Sequence, residues 1–258
     1  EKIEVFLIDV PFKNEQYSKN LKNKCKTIII DDIGNKKIRS QLLFNGHVVD
    51  KFQKYDINEK ITKYFFGPKY MILRNEFETI RRRKIVPRGE ICKILLTFGG
   101  SDDSNLSTKI SSYFISRSYN VTIVLGPSYS NQKKLNKIIQ KNKNFQLIKN
   151  EKNMAKLFSK HDLVISSSGI TAYELACLGI PCILIPSDKY QEKTAIALAK
   201  KGFGMNYGFW DDDLDRFEQI ISSMTNQLIR KKMYVAGRKL VDGKGTSRII
   251  KQIIKLIK

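Results

Sequence analysis

The sequence of 258 residues is poor in the residue types that build metal, disulfide or membrane structures. Its four cysteines form no C-x-x-C pair and its two histidines stand alone, so we expect no metal site. No apolar run approaches the roughly 20 residues that a membrane-spanning helix needs, and the opening residues do not read as a secretory signal. We therefore expect a cytoplasmic protein without an integral membrane segment or a cofactor.

Acidic residues are also scarce, with 25 Asp and Glu against 47 Lys and Arg, which gives a net charge of +22. Only 11 of the 47 basic residues are Arg, and the Lys are scattered among many Ile and Asn. Proteins that read bases rely on Arg and on recognisable modules, which we do not find here. We expect no nucleic-acid partner. The general positive field would instead attract anionic phosphate ligands.

Strand and helix signals alternate through the first third of the chain. Apolar strands at residues 5–10 and 27–32 flank a polar helical stretch at 16–24, which predicts a βαβ unit. The stretch 81–90 is basic, contains Pro and Gly and has no periodicity, as is typical of a linker. We place the domain boundary there, giving a partial amino-terminal lobe with its linker at 1–88 and a second α/β lobe at 89–258.

The alternation becomes regular from residue 92 onward. It predicts strands at 92–98, 121–125, 145–148, 163–166 and 182–185, with helices at 105–116, 154–160, 171–178 and 191–201. This pattern indicates an α/β fold with a doubly wound parallel sheet. Amphipathic helices are predicted at 214–228 and from residue 245, and the last helix is expected to pack back on the first lobe.

In such a sheet a ligand binds outside the carboxyl ends of the strands, so the turns that leave strands are informative. The first such turn contains Gly99, Gly100 and Ser101. Two glycines let the backbone approach a bound group, and the helix that follows offers free N–H groups to a phosphate. A tight turn with a Ser or Asp cap explains the same residues.

The second turn combines Ser167, Ser168, Gly169 and Thr171 at the start of a helix. Their N–H and O–H donors converge on one point. Glu174 is predicted within the first turn of that helix, where a carboxylate can accept both hydroxyls of a ribose. Its alternative role is a favourable interaction with the helix dipole, worth about 0.3 to 1 kcal/mol.

The third turn feeds a neighbouring helix and contains Tyr190, Gln191 and Glu192. These side chains can reach into the same cleft. They fit capping or surface positions equally well.

Together the three turns resemble the carboxyl-terminal domain of GT-B sugar-nucleotide proteins, in particular the peptidoglycan N-acetylglucosaminyltransferase group. The resemblance is closer to the UDP-sugar hydrolases of pseudaminic acid and spore-coat polysaccharide biosynthesis, the UDP-2,4-diacetamido-2,4,6-trideoxy-β-L-altropyranose hydrolase family. It covers nearly the whole chain and is most specific over residues 90–205. The stretches that carry it are 67–77, 98–105, 153–163, 166–179 with Pro181, 191–204 and 242–246.

The resemblance implies a GT-B-like fold with two Rossmann-type parallel-sheet lobes, the amino-terminal one incomplete. It implies that a UDP-sugar is the ligand and that Glu174 takes the ribose. Backbone near Glu151 and Met154 would frame the uracil, and Gln191 and Glu192 would lie near the sugar or diphosphate. The diphosphate would be surrounded by Gly99, Gly100, Ser101, Ser167, Ser168, Gly169 and Thr171.

The chain departs from the family at the expected catalytic loop. Such hydrolases begin with a strand and a Gly-x-Gly-His loop, whose His is expected to activate water, and we find no Gly-x-Gly-His loop among the 258 residues. His47 lies later in the fold and is a weak substitute, while His161 is expected to be structural. The family Tyr after the first strand is replaced by residues 10–12, reading Val-Pro-Phe, and the family Asn at position 190 is replaced by Tyr190.

We therefore expect hydrolysis of a UDP-linked diacetamido-deoxy sugar, with the catalytic base unidentified. A glycosyltransferase using the same kind of sugar is the alternative among enzymes. A non-catalytic UDP-sugar-binding domain is the alternative outside them. The sequence does not indicate which sugar is used or the oligomeric state.

Overall fold

The computed structural model describes residues 3–9, 25–31, 33–34, 36–130 and 132–258. The chain forms two compact units, one of residues 1–74 with 241–258 and one of residues 75–240. The predicted helix at 16–24 and the departure at 10–12 lie outside the described residues. In the part of the chain that is described, no helix is both long and apolar enough to cross a bilayer.

The described strands of the first unit are β1 (Val5–Ile8), β2 (Lys26–Ile30), β3 (Lys36–Ile38), β4 (Leu42–Asn45), β5 (Tyr55–Ile57) and β6 (Lys63–Phe66). They form a four-stranded parallel sheet in the order β1-β2-β4-β6 and a two-stranded parallel sheet of β3 and β5. Two 3₁₀ turns, Asp50–Gln53 and Pro68–Tyr70, follow β4 and β6.

Successive residues of β2 pack on opposite faces of the larger sheet, which explains its continuous β-branched sequence. Ile29 joins a buried cluster with Ile8 and Leu43. Ile28 joins a second cluster that includes Phe44 and, from the carboxyl-terminal helix α9 (Gly245–Ile257), Ile249. The last helix of the chain is therefore part of the core of the first unit.

The start of α9 fits closely against the backbone of residues 70–71. A Cβ at Gly245 would collide with the carbonyl oxygen of Met71 and lie 2.7 Å from its carbonyl carbon. Arg248 reinforces this contact, since its guanidinium donates to the carbonyl oxygen of Lys69 at 2.8 Å and to Asp242 at 2.7 Å. Only glycine leaves room for the helix at this position.

We predict that Gly245→Ala lowers the free energy of unfolding by about 1 to 3 kcal/mol, because the added methyl group forces the helix away from a rigid backbone. Urea denaturation followed by circular dichroism measures the change. Thr246→Ala, at the exposed neighbouring position, is the matched control. Equal unfolding free energies for the two variants would contradict the prediction.

The strands of the second unit are β7 (Lys93–Thr97), β8 (Asn120–Leu125), β9 (Phe145–Lys149), β10 (Leu163–Ser166), β11 (Cys182–Leu184) and β12 (Met205–Asn206). They form one six-stranded sheet whose strands are all parallel, in the order β12-β11-β10-β7-β8-β9. This confirms the predicted α/β fold with a doubly wound parallel sheet.

Eight helices of the second unit are described, one before these strands, five between them and two after them. They are α1 (Asn75–Arg81), α2 (Leu106–Tyr113), α3 (Gln132–Lys141), α4 (Met154–Phe158), α5 (Ile170–Leu178), α6 (Lys189–Lys200), α7 (Leu214–Thr225) and α8 (Gln227–Leu240). The sequence did not predict helices α3 and α8 or strands β3, β5, β6 and β12. The helix predicted at 214–228 ends at Thr225, because the backbone of Asn226 is extended before α8 begins.

The structure divides the chain before α1 rather than at the predicted boundary 88/89, and it assigns residues 241–258 to the first unit rather than to the predicted second lobe at 89–258. Phe77 of α1 is fully buried and packs on Phe158, with ring centroids 6.3 Å apart. Glu76 accepts the N–H of Ala155 at 3.2 Å, and Arg81 donates to the carbonyl oxygen of Arg238 at 2.7 Å. These tertiary contacts place α1 in the second unit, although the linker-like composition begins only at residue 81.

Candidate functional site

The order of the strands places a topological switch point between β7 and β10. From β7 the chain adds β8 and β9 on one side, then returns to add β10 and β11 on the other. Thr97 and Ser166 are register partners at the carboxyl ends of the two central strands. Because the connections diverge here, a crevice opens between the loops that leave β7 and β10.

A cavity of about 480 Å³ lies at this switch point, entirely within the second unit. Residues from all three predicted turns line this cavity, so the structure brings together turns that the sequence could only identify one by one. Its lining residues are Phe98, Gly99, Gly100, Ser101, Asp102, Asp103, Ser104, Leu106, Ser167, Gly169, Ile170, Thr171, Ser187, Asp188 and Gln191.

Three helices begin at the cavity, and two of them are capped by their own aspartates. Asp102 accepts the N–H groups of Leu106 and Ser107 at the start of α2, both at 2.8 Å. Asp188 accepts the N–H groups of Tyr190 and Gln191 at the start of α6, also at 2.8 Å. The first N–H groups of these helices are therefore already satisfied.

Helix α5 differs, because no described side chain caps its first turn. Gly169 precedes the helix, and its carbonyl oxygen accepts the N–H of Ala172 at 3.1 Å. The N–H groups of Ile170 and Thr171 carry no hydrogen bond in the described structure and lie at the wall of the cavity. The positive end of the α5 dipole thus presents open donors to a bound anion.

Gln191 ties the second and third turns together. Its side-chain oxygen accepts the N–H groups of Ser168 at 3.1 Å and of Ser187 at 3.4 Å. In return the Ser168 hydroxyl donates to the Gln191 carbonyl oxygen at 2.8 Å. The loop before α5 is thereby held in one conformation, which pre-organises the N–H groups that follow it.

The described residues that line the cavity include no Lys or Arg, although the chain carries a large positive charge. Burial raises the pKa of Asp102 above its ordinary value, opposed by its hydrogen bonds from Ser107 and Leu106. Recognition of an anion here would therefore rest on backbone N–H groups and hydroxyls.

Seven of the residues singled out from the sequence line this one cavity. They are Gly99, Gly100, Ser101, Ser167, Gly169, Thr171 and Gln191. Ser168 is adjacent to Ser167 and Gly169 in the chain but is buried, and its hydroxyl is hydrogen-bonded to the Gln191 carbonyl oxygen.

The structure corrects the position of Glu174. Helix α5 begins at Ile170, so Glu174 is its fifth residue and lies in the second turn, not the first. Its side chain is buried. It does not line the cavity, because the helix carries it one turn below the open end.

Four other predicted residues also lie outside the cavity lining. Tyr190 and Glu192 are in the first turn of α6. Met154 begins α4, and the Glu151 carboxylate accepts the N–H of Asn153 at 2.7 Å in the loop before it.

The two histidines both make internal contacts. His47 belongs to the first unit, where its Nδ1 accepts the N–H of Val49 at 3.4 Å and its ring packs edge-on against Phe52. Burial lowers the pKa of His47 from 6.5 to about 4, so its imidazole is neutral at physiological pH. His161 bonds to Leu157 and Thr122 at 2.9 Å each, and burial lowers its pKa as well.

No group of three or more His, Cys, Asp or Glu residues suited to a metal ion occurs in the described portions of the chain.

Sequence reasoning missed several lining residues. Ile170 is 53% exposed at the first position of α5, and its apolar side chain gave no chemical signal. Asp102 and Asp188 were readable as helix caps from their position before apolar helical runs. Their place beside a cavity follows only from the packing of three strands.

These features define the chain as an α/β protein of the GT-B class, with Rossmann-type parallel sheets. The chain belongs to the family described as the glycosyltransferase family 28 C-terminal domain, whose model matches residues 94–249.

Three relatives are similar in sequence. An uncharacterized protein of Methanocaldococcus jannaschii is 32% identical across 98% of this chain, which spans 55% of that protein's length. The spore coat polysaccharide biosynthesis protein SpsG of Bacillus subtilis is 26% identical, over 96% of this chain and 76% of SpsG. The UDP-2,4-diacetamido-2,4,6-trideoxy-β-L-altropyranose hydrolase of Campylobacter jejuni is 30% identical, over 55% of this chain and 51% of the hydrolase.

Two solved structures share the fold at low sequence identity. The glycotransferase of kitacinnamycin has a TM-score of 0.71 at 12% identity, and the matched region covers 100% of this chain and 77% of the glycotransferase chain. MurG of Acinetobacter baumannii has a TM-score of 0.70 at 14% identity, and the matched region covers 98% of this chain and 74% of the MurG chain.

Proposed function

We propose that this protein binds a UDP-linked diacetamido-deoxy sugar and releases UDP by hydrolysis, in surface-glycan biosynthesis of the pseudaminic acid type. The observation that carries the proposal is the cavity at the switch point, where the open first turn of α5 faces the glycine-rich turn after β7. A diphosphate matches this donor set, because its oxygens accept hydrogen bonds from backbone N–H groups at a helix start.

In the proposed complex the diphosphate lies at Gly169 and Thr171, with Ser101 and Ser167 as hydroxyl donors. Glu174, further along α5, takes the ribose. Backbone near Glu151 and Met154 frames the uracil. Tyr190, Gln191 and Glu192 lie on the side of the sugar.

The proposed reaction breaks the bond between the anomeric carbon and the diphosphate oxygen. Water attacks the anomeric carbon, and the electron pair of the broken bond leaves with UDP. The negative charge that develops on the leaving oxygen is stabilised by the N–H groups at the start of α5. Removal of the water proton requires a general base whose pKa lies near the working pH. The low pKa of His47 makes it a weak base for this step.

Similarity to the Campylobacter jejuni hydrolase supports hydrolysis. A glycosyltransferase is the second candidate, supported by the family model and by the 35% identity with an N-acetylglucosamine transferase of Leuconostoc citreum over 43% of this chain. A UDP-sugar-binding domain without catalysis is the third. All three candidate functions require binding of a UDP-sugar. They differ in the acceptor of the sugar, which is water for a hydrolase, a second molecule for a transferase and absent for a binding domain.

Calorimetric titration with UDP and UDP-N-acetylglucosamine, with UDP release followed in the same samples, tests the proposal. Binding with accumulation of UDP in the absence of an acceptor supports hydrolysis. Release only after addition of an acceptor saccharide supports a transferase, and binding without release supports the third candidate. No binding of either nucleotide would overturn the proposed function.

The ribose assignment of Glu174 is tested with the pair UDP and 2′-deoxy-UDP. A carboxylate that accepts the 2′-hydroxyl should make the wild type prefer UDP by about 10- to 150-fold, because a hydrogen bond to a charged group contributes about 1.5 to 3 kcal/mol. We expect Glu174→Gln to lose most of this preference in calorimetry. Glu78→Gln, on α1, is the control. An unchanged preference in Glu174→Gln would remove Glu174 from the ribose site.

A further inference from the structure

The loop that follows β8 packs directly against the turn that follows β7. We call residues 126–130 the supporting loop and residues 98–105 the glycine loop. A Cβ at Gly126 would collide with the Cα and carbonyl oxygen of Gly100 and lie 2.6 Å from the carbonyl oxygen of Gly99. The two backbones are therefore in contact, and only glycine at position 126 permits it.

Two hydrogen bonds extend this contact along the glycine loop. The N–H of Ser128 donates to the carbonyl oxygen of Gly100 at 3.1 Å. The Tyr129 hydroxyl donates to the side-chain oxygen of Asn105 at 2.7 Å and lies 2.9 Å from the Thr108 hydroxyl on α2. Tyr129 is buried, and burial raises its pKa, so the hydroxyl keeps the proton that it donates.

The glycine loop needs such support because its backbone is unusual. Gly99 has a φ of 83°, and the non-glycine residues Asp102 and Asn105 have φ of 48° and 52°. Left-handed conformations of non-glycine residues are costly and persist only where the surroundings hold them.

One side of the glycine loop is open and the other packs against the supporting loop. A Cβ at Gly99 or Gly100 would meet no atom within 4 Å. Both residues line the cavity, so their open positions leave space for a ligand. Gly126, in contrast, fills the space beside the Gly100 backbone.

From this geometry we infer that the supporting loop positions the glycine loop for the diphosphate, with Gly126 and Tyr129 as positioning residues that touch no ligand themselves. This inference rests on the proposed function for the identity of the ligand. Its structural part concerns the conformation of residues 98–105 and is independent of the ligand.

The test uses the full chain with Gly126→Ala and Tyr129→Phe, and with Gly245→Ala as a control that has a similar backbone collision in the first unit. Hydrogen–deuterium exchange of the ligand-free proteins reports on residues 98–105. We expect both loop variants to exchange there at least about threefold faster than wild type, and the control to match wild type in this segment.

Titrations with UDP and uridine then distinguish a specific effect on the diphosphate site from a general loss of nucleotide binding. We expect Gly126→Ala to bind UDP about tenfold more weakly while its affinity for uridine, which lacks the diphosphate, stays within about twofold. Tyr129→Phe should also weaken UDP binding more than uridine binding, by a smaller factor. Because it removes only one oxygen atom, it replaces Gly126→Ala in this test if that variant does not fold.

Unchanged exchange at 98–105 in both variants would overturn the inference whatever the nucleotide affinities. Faster exchange with unchanged UDP affinity would overturn the positioning role. Failure of wild type to bind UDP defeats the proposed function, whereas the exchange comparison still decides whether the supporting loop holds the glycine loop.

Discussion

Ile170→Asp is expected to weaken UDP binding by about 100-fold or more while leaving the protein at least as stable as wild type. Ile170 is the first residue of α5, is about half exposed and lines the cavity. A carboxylate at this position interacts favourably with the helix dipole, by about 0.3 to 1 kcal/mol. The same carboxylate lies where we propose that the diphosphate binds.

The size of the effect follows from Coulomb repulsion. Two like charges about 5 Å apart at an effective dielectric constant of about 20 repel by about 3 kcal/mol, which corresponds to about two orders of magnitude in affinity. The carboxylate also competes for the N–H groups that would bind the phosphate oxygens. Calorimetry with UDP measures the loss, and thermal unfolding measures the stability.

Ile170→Asn is the matched control, because it has nearly the same shape as aspartate without the charge. We expect this variant to bind UDP within about threefold of wild type. Equal UDP affinities for the aspartate and asparagine variants would show that the anion does not bind at the start of α5. The proposed diphosphate site would then be wrong.

The stability of the first unit is expected to fall by up to about 3 kcal/mol as the pH is lowered from 6.5 to below 4, through His47 alone. His47 is 5% exposed, and burial lowers its pKa to about 4 from an ordinary value of 6.5. Between these pH values the unfolded chain binds a proton that the folded chain excludes. The contribution is fully present above pH 6.5 and is lost as the pH falls.

Urea denaturation at several pH values between 7 and 4, on wild type and His47→Asn, measures this contribution. Asparagine cannot titrate and retains an oxygen that can accept the N–H of Val49. We expect the variant to lose less stability than wild type across the window. The difference isolates His47, because His161, whose pKa is also lowered, is present in both proteins. Parallel pH profiles would show that His47 is not buried in the neutral form.

These two experiments address separate units and separate questions. The first asks whether the open start of α5 is an anion site, which every candidate function requires. The second asks whether His47 is a structural residue of the first unit, as its contacts with Val49 and Phe52 indicate. A low pKa that is explained by burial also weakens His47 as the missing general base.

The periodicity of the chain was sufficient to predict most of the second unit. Apolar runs such as residues 92–98 and 163–166 predicted buried parallel strands, and their alternation with helices predicted the doubly wound sheet. Helices α3 and α8 were missed. Helix α3 has three apolar residues at helical spacing, Leu135, Ile138 and Ile139, but only Leu135 is buried and the rest of the helix is polar, so this short pattern was overlooked.

The site shows the same division between local and tertiary information. Gly99, Ser167 and Gln191 were recognisable because each follows a strand, and strand ends are where α/β ligands bind. The aspartate caps of α2 and α6 are local and readable from the sequence, but that these two helices and the uncapped α5 begin at one cavity follows only from the order of the strands. The approach of Gly126 to Gly100 brings together the loops that follow two different strands, β8 and β7.

The sequence by itself determined the class of fold and the turns that hold the chemistry, because hydrophobic period and glycine placement act over a few neighbouring residues. Tertiary structure decided which turns meet, which helix start stays open and where the units divide. Those outcomes depend on strand order and on contacts between distant segments, such as α1 with α4 and α9 with residues 70–71. Residues far apart in the chain become neighbours only when the sheet assembles.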